Sequence, residues 1–420
     1  MDKKIKVLTL SDHPLSPSGV GTQTRYVIEA LLKTGKFQVI SLGGAIKHRD
    51  YTPRLVEPWK EDWKVIPVDG YGTQEMIRSI LRNEKPDILW MMTDPRFYEW
   101  LWQIENEIRP LCPIVYYHVW DNFPAPHFNK KFYESNDQII SISKLTHDVV
   151  KEVAPDVPCR YIPHAVREDI FKPLSEEDRV KTKEKVLGPD KDKFIAFWNN
   201  RNARRKQSGT LIFWWKEWLD KRDLHQEAQL IMHTEPKDPH GQDLGQIVKQ
   251  LGLDSSRQVL FSTQKVALEH MGQFYNIADV TINISDAEGF GLATLESLSC
   301  GTPIIANMTG GLQEQVLGPE GENGVAIFPS SKAVIGSQQV PYIYEDRISK
   351  EAFMAALDKM YCIHEKARRE LGMQGHRHCR ANYSFDNFEK QWVKLMLDVH
   401  EEHGSWPTKK YSSIVFKEVA

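Results

Sequence analysis

Short runs of uninterrupted apolar residues, each followed by a segment of helical period, constrain this chain more than any other feature. The first run, IKVLTL at 5–10, leads through the loop SDHPLSPSGVG into TQTRYVIEALLKTG, where Tyr26, Ile28, Leu31 and Leu32 share a helical face that ends at Gly35. The strand pattern recurs in FQVISLGG, DILWMM, PIVYYHVW, QIISIS and CRYIP, with helical TQEMIRSILRNE, FYEWLWQIENEI and KLTHDVVKEV between them. A strand apolar on both faces must be covered on both faces, and helices alternating with strands supply that cover in a parallel sheet. Residues 1–171 are therefore expected to form one doubly wound α/β domain. A charged, proline-marked stretch, KPLSEEDRVKTKEKVLGPDKDK, interrupts the series, and FIAFWNN opens a second one through AQLIMH, QVLFST, DVTINIS and PIIA. Residues 172–385 are read as a second such domain. In its first helical segment Leu211, Trp214, Trp215 and Trp218 share a face, which reads as packing. A last helix at 386–402, within the remainder 386–420, is expected to pack back across the first domain.

Composition narrows the partners. Lys and Arg number 54 against 57 Asp and Glu, a formal charge of −3, so no global field attracts nucleic acid or anionic lipid, and any anion site is local. The five cysteines, Cys112, Cys159, Cys300, Cys362 and Cys379, are odd in number and widely spaced, which reads as reduced thiols in a cytoplasmic protein. The apolar run at 5–10 is too short for a signal segment, and no stretch approaches the roughly 18 apolar residues of a membrane span. Peripheral membrane contact is left open. His376, His378 and Cys379 in GHRHCR lack the spacing of a zinc site, and no metal is expected.

Open α/β sheets bind ligands beyond the C-terminal ends of their strands. The densest signal lies in such a loop, SDAEGFGLATLESLSCGTPIIANMTGG at 285–311. Gly289 and Gly291 remove side chains beside Glu288, and a helix then opens with N–H groups of Gly291, Leu292 and Ala293 presented to an anion. Glu296 lies about 6 Å further along that helix at 1.5 Å per residue. One carboxylate before a diphosphate site and one beyond it suit a nucleotide sugar, with Glu288 on sugar hydroxyls and Glu296 on ribose hydroxyls. A dinucleotide-dehydrogenase fingerprint fails at the N-terminus, because Thr24 stands where the third glycine is needed and the second strand ends in Gly43 and Gly44 rather than an acid.

The pair of glutamates within EGFGLATLESLSCGTPII, followed by GGLQE, closely resembles the donor-binding segment of the retaining GT-B glycosyltransferases of group 1, the fourth glycosyltransferase family. The likeness is strong over 265–330 and weaker, but in order, over 5–400. It implies two facing Rossmann-like domains with a C-terminal crossover helix, the first binding acceptor and the second binding donor. It also implies transfer of a hexose from a UDP- or GDP-sugar to a hydroxyl, on a glycan or glycoconjugate, with retention and without a metal or other cofactor. The donor site then comprises Gly19, Glu288, Gly289, Phe290, Gly291, Leu292 and Glu296. Arg201 and Lys206 of NNRNARRKQS match the family's cation pair, with Arg204 and Arg205 leaving the inward-pointing cations ambiguous.

His118, at the end of IVYYHVW, resembles the histidine beside the reacting sugar carbon. Asp121 is a candidate for orienting the acceptor, and Trp90 and Trp120 end strands expected to point into the acceptor cleft, where a flat indole face suits a sugar ring. His164 in YIPHAVREDIF is read as an interdomain packing or hydrogen-bonding residue rather than a catalyst. The segment SSKAVIGSQQVPYIYEDR at 330–347 fits the family pattern poorly and reads as a local insertion. The alternatives are a catalytically silent nucleotide-sugar-binding subunit and a sugar-nucleotide epimerase or hydrolase.

Overall fold

The computed structural model describes residues 3–404 and 406 and divides into two compact units. The first comprises residues 1–164, 337–341 and 386–420, and the second residues 165–336 and 342–385. The first boundary thus falls seven residues before the expected 171/172, and a short piece from the middle of 330–347 groups with the first unit.

In the first unit eight strands, β1 (Ile5–Asp12), β2 (Phe37–Gly44), β3 (Arg54–Val56), β4 (Lys60–Pro67), β5 (Ile88–Thr93), β6 (Ile114–His118), β7 (Gln138–Ser141) and β8 (Cys159–Tyr161), form one sheet of order β3-β4-β2-β1-β5-β6-β7-β8. All pairings are parallel except β3 with β4. Sequence reading missed β4 because KEDWKVIP alternates polar and apolar residues; its Trp63 is nevertheless buried and donates to Ser41 Oγ at 3.0 Å. The helix Gly19–Lys33 starts on Ser18, whose Oγ accepts from Gly21 N at 2.9 Å.

The final helix, Phe385–His403, belongs to this unit, as expected from its pattern. Its Trp392 is wholly buried and meets Tyr117 and Trp90 edge-on, at ring separations of 4.7 and 5.9 Å. Arg160 to Asp398 and Lys33 to Glu389 pair at the helix rim. Trp90 is consequently not a cleft residue: it sits in the middle of β5 and is committed to the layer that Trp392 covers.

The second unit carries β9 (Phe194–Asn199), β10 (Ala228–His233), β11 (Val259–Ser262), β12 (Val280–Asn283), β13 (Ile304–Asn307), the two-residue β14 (Leu317–Gly318) and β15 (Gly321–Glu322), β16 (Gly324–Ile327), β17 (Ser331–Ile335) and β18 (Ile343–Arg347). Its main sheet has the order β11-β10-β9-β12-β13-β16, and all its pairings are parallel. Leu211, Trp215 and Trp218 are buried in its core with Phe353 and Leu357, and Trp214 packs half-buried beside them, as the shared helical face implied. The segment read as an insertion forms the antiparallel hairpin β17–β18.

Both sheets reverse strand order at one point, between β1 and β5 and between β9 and β12. At such a point the loops after the two neighbouring strands diverge to opposite faces and leave a crevice. In the second unit those are the loops at 200–207 and 284–291.

Candidate donor site

The loop after β12 is stiffened before it reaches Glu288. Asn283 Oδ1 accepts from Ser285 Oγ at 2.7 Å, and Asp286 N donates to Arg205 O at 2.8 Å, tying this loop to the one after β9. Gly291 has φ of +92°, a backbone that side chains resist, and an added Cβ would lie 2.4 Å from Leu312 Cδ2. That left-handed residue turns the chain into the helix Leu292–Ser299, whose first turn holds no acid. Thr294 and Leu295 N–H both reach back to the Gly291 carbonyl, so the N–H groups of Leu292 and Ala293 point out of the helix start. Phe290 is buried beneath the loop, its carbonyl held by Gln315 Nε2 at 2.6 Å, and Gly311 N donates to Glu288 O at 3.0 Å.

Glu288 receives two cations. Lys206, only 7% exposed, forms an ion pair with its carboxylate, and Arg205 Nη1 approaches the same oxygen at 3.2 Å while also donating to Ala287 O at 2.5 Å. Burial pushes the Glu288 carboxyl up, but the two cations outweigh it and hold it below the ordinary range. Glu296 is tuned the other way. Burial pushes it up to about 7, against the hydrogen bond from Tyr275 Oη at 2.5 Å. Asn199 Nδ2, at the end of β9, donates to Tyr275 Oη at 2.8 Å, which leaves the phenol proton for Glu296. One carboxylate is thus fixed as an anion among cations, and its neighbour titrates near neutrality.

Arg201 is placed differently from its expected role. Its guanidinium makes two bonds to Asp238, at 2.7 and 3.1 Å, and its side chain is 62% exposed. The turn Arg204–Lys206 that follows rotates Arg205 and Lys206 toward Glu288 and sends Arg204 to Glu345. Sequence reading left Arg204 and Arg205 undecided because adjacent arginines differ only in which side of a short turn they occupy; the structure turns Arg205 to Glu288 and Arg204 to Glu345. Sequence reading missed Tyr275, whose position on the helix before β12 carried no local signal.

In the first unit the crevice-side residues are less open than expected. Gly19 is the exposed first residue of its helix, and the tight approach falls instead at Gly21, where a Cβ would meet Ser16 Oγ at 2.5 Å and His13 O at 2.7 Å. His118 is wholly buried. It shares a face of β6 with Tyr116, meets Tyr116 and Tyr133 edge-on at 5.2 and 4.7 Å, and lies parallel to Trp120 at 6.4 Å. Neither ring nitrogen finds a partner, and burial lowers its pKa to about 3, so the ring is neutral. A histidine expected beside a reacting sugar carbon is thus enclosed: its ring packs against Tyr133 of the helix Lys130–Glu134. Trp120 is 4% exposed, whereas Asp121 is half-buried and acts electrostatically on Arg96, the partner of Asp94 at 2.9 Å. His164 hydrogen-bonds Tyr117 Oη through Nδ1 at 2.7 Å, a hydrogen-bonding role within the first unit rather than between units. His376 and His378 are spent on the carbonyls of Ser299 and Glu314.

Residues 179–356 match the family model described as glycosyl transferases group 1. A D-inositol 3-phosphate glycosyltransferase of Corynebacterium jeikeium is 31% identical over 171 residues, 40% of this chain and 39% of that protein. A protein of the same name from Thermomonospora curvata is 46% identical over 57 residues, 14% of this chain and 13% of that one. The chain therefore spans about two fifths or less of the length of these curated relatives. Among solved structures, sucrose-phosphate synthase from Thermosynechococcus elongatus superposes with a TM-score of 0.75 at 18% identity, over 95% of this chain and 100% of the other. An Anabaena protein in complex with UDP and glucose gives 0.66 at 15% identity, over 94% and 100%.

Proposed function

We propose, for a chain of GT-B fold whose residues 179–356 match the group 1 glycosyltransferase model, that the protein is a glycosyltransferase of that group that transfers a hexose from a UDP- or GDP-sugar to a hydroxyl of a glycan or glycoconjugate, with retention of configuration. The observation that carries the reading is the convergence of Lys206, Arg205, Glu288 and the N–H groups of Leu292 and Ala293 on one helix start, with Glu296 further along the helix. Two cations that share the single charge of Glu288 leave a net positive site, which with the helix N-terminus attracts a diphosphate and stabilises the further charge that appears on it as the glycosidic bond breaks. Glu288, kept ionised, accepts hydrogen bonds from donor-sugar hydroxyls, and Glu296 accepts from ribose hydroxyls. Gly19 is carried as a donor-phosphate residue on the resemblance alone.

Retention is assigned to a same-face reaction in which the departing phosphate oxygen takes the acceptor proton, so no separate general base is required. Lys206 is the first catalytic cation and Arg205 the second. Arg201 serves only on leaving Asp238. His118 is assigned to the donor sugar beside the reacting carbon, acting as a neutral ring once neighbouring residues uncover it, and Trp120 and Asp121 remain the acceptor-side assignments. The absence of a cofactor and of a metal is part of this reading, since Lys206 and Arg205 supply the charge a divalent ion would otherwise bring. The five free cysteines support a reducing, cytoplasmic setting, and no helix among the described residues is long and apolar enough to cross a membrane.

The test is donor turnover in Lys206→Ala and Glu296→Ala: the first should lower kcat and the second raise donor KM, and unaltered kinetics in both removes the assignment. A nucleotide-sugar-binding subunit without turnover is the second reading, favoured by the enclosure of His118. Single-turnover assays with candidate acceptors separate the two, because binding without product formation belongs to that subunit alone.

A further inference from the structure

The hairpin β17–β18 lies outside the pattern used to find the donor site, yet it holds two of that site's loops and the loop after β13. Glu345 is 1% exposed and Asp346 3% exposed, so both carboxylates need partners to be tolerated. Glu345 pairs with Arg204 from the loop after β9 and with Arg347 at 2.5 Å. Asp346 N donates to Asp286 O at 2.8 Å in the loop after β12. After β13, Asn307 Nδ2 donates to Asp346 O at 2.7 Å and Thr309 Oγ1 to the Asp346 carboxylate at 2.8 Å. Asp286 in turn accepts from Gln207 Nε2 at 2.5 Å, and Arg347 Nε lies 3.7 Å from it.

Four cations within six residues, Arg201, Arg204, Arg205 and Lys206, repel one another and compete for any anion that arrives. Each has a designated carboxylate: Asp238 for Arg201, Glu345 for Arg204, and Glu288 for Arg205 and Lys206. We infer that Glu345 is a positioning residue, which by anchoring Arg204 sets the turn that aims Arg205 and Lys206 at the donor diphosphate. The hairpin is thereby a part of the donor site that acts without touching the donor. This rests on the donor reading given above. Arg204 and Arg347 have side chains 60% and 43% exposed, so either can swing into water when Glu345 is lost. The fold then survives while the turn loses its register.

The experiment measures nucleoside diphosphate binding and donor kinetics for Glu345→Gln, Arg204→Gln and the double variant of the full chain. Each single change should weaken UDP or GDP binding by about 5- to 20-fold, less than the loss of a full charge-assisted hydrogen bond, because the cations are displaced rather than removed. Donor KM should rise and kcat should fall with it, because the mis-aimed cations are the ones that meet the charge on the leaving diphosphate, and the double variant should be no weaker than the singles, because the two side chains act as one unit. Loss of active protein alone would instead lower kcat and leave KM unchanged. Arg204→Gln, altering an exposed side chain, keeps the test available if Glu345→Gln folds poorly. Wild-type KM in Arg204→Gln, or additive losses in the double variant, overturns the inference. Lys206→Ala run in parallel separates the two levels: if it too binds as wild type the donor reading fails, whereas if it alone weakens binding only the positioning role fails.

Discussion

Glu296 and Glu288 show how residues of one type, eight positions apart, take different electrostatic parts. Lys206 and Arg205 keep Glu288 ionised, while burial pushes Glu296 up to about 7. A folded carboxyl raised above its unfolded value binds a proton that the unfolded chain has released. Stability contributed by Glu296 is therefore present below about pH 4.5 and lost as pH rises toward 7. Glu296→Gln removes that loss and should stabilise the protein by roughly 1–2 kcal/mol at pH 8, discounted because the side chain is only half-buried, and by little at pH 5. Urea denaturation at the two pH values measures this, and donor KM should rise in the same variant. Among the cations, Lys206→Ala and Arg205→Ala should each weaken nucleoside diphosphate binding by about 1.5–3 kcal/mol, whereas Arg201→Ala should cost little while Arg201 stays on Asp238. Calorimetric titration of the three variants ranks them, and a dominant Arg201 effect would restore the cation pair implied by family resemblance.

The elements that carry the site were legible wherever pattern and chemistry coincide. Short strand-like runs rich in apolar residues identified β1, β2, β9 and β12, and the glycines around Glu288 marked the turn into the helix Leu292–Ser299, because only a residue without Cβ accepts φ of +92° against Leu312. The final helix was legible too, and Trp392→Ala should destabilise the first unit by about 3–5 kcal/mol in urea unfolding, the usual cost of emptying a buried aromatic site. A near-neutral effect would show that the Trp90, Tyr117 and Trp392 cluster does not anchor that helix. What stayed hidden depends on partners distant in sequence. Strand β4 alternates like a surface strand. Trp90 and His118 sit on strand faces whose cover is supplied by other elements, so sequence near a strand end did not reveal that both are enclosed. The segment 330–347 read as an insertion, yet the family-model match at 179–356 runs across it, and its carboxylates answer cations in a loop far earlier in the chain, a pairing no local pattern reveals.

At the scale of the whole molecule, two doubly wound units each reverse strand order once, and the donor assignment follows from the reversal in the second. Cations rather than a metal answer the diphosphate in this reading, so activity should persist in excess EDTA; strong dependence on an added divalent ion would contradict it. The anomeric proton of the product, followed by NMR, should keep the configuration of the donor, and inversion would contradict the same-face reaction. The most direct single measurement is calorimetric titration of UDP and GDP into the wild-type protein and Lys206→Ala. One nucleoside diphosphate should bind the wild type saturably at a single site, with affinity at least about tenfold lower in Lys206→Ala. Binding of neither nucleotide, or equal binding by both proteins, would contradict a donor site built on Lys206 and Glu288.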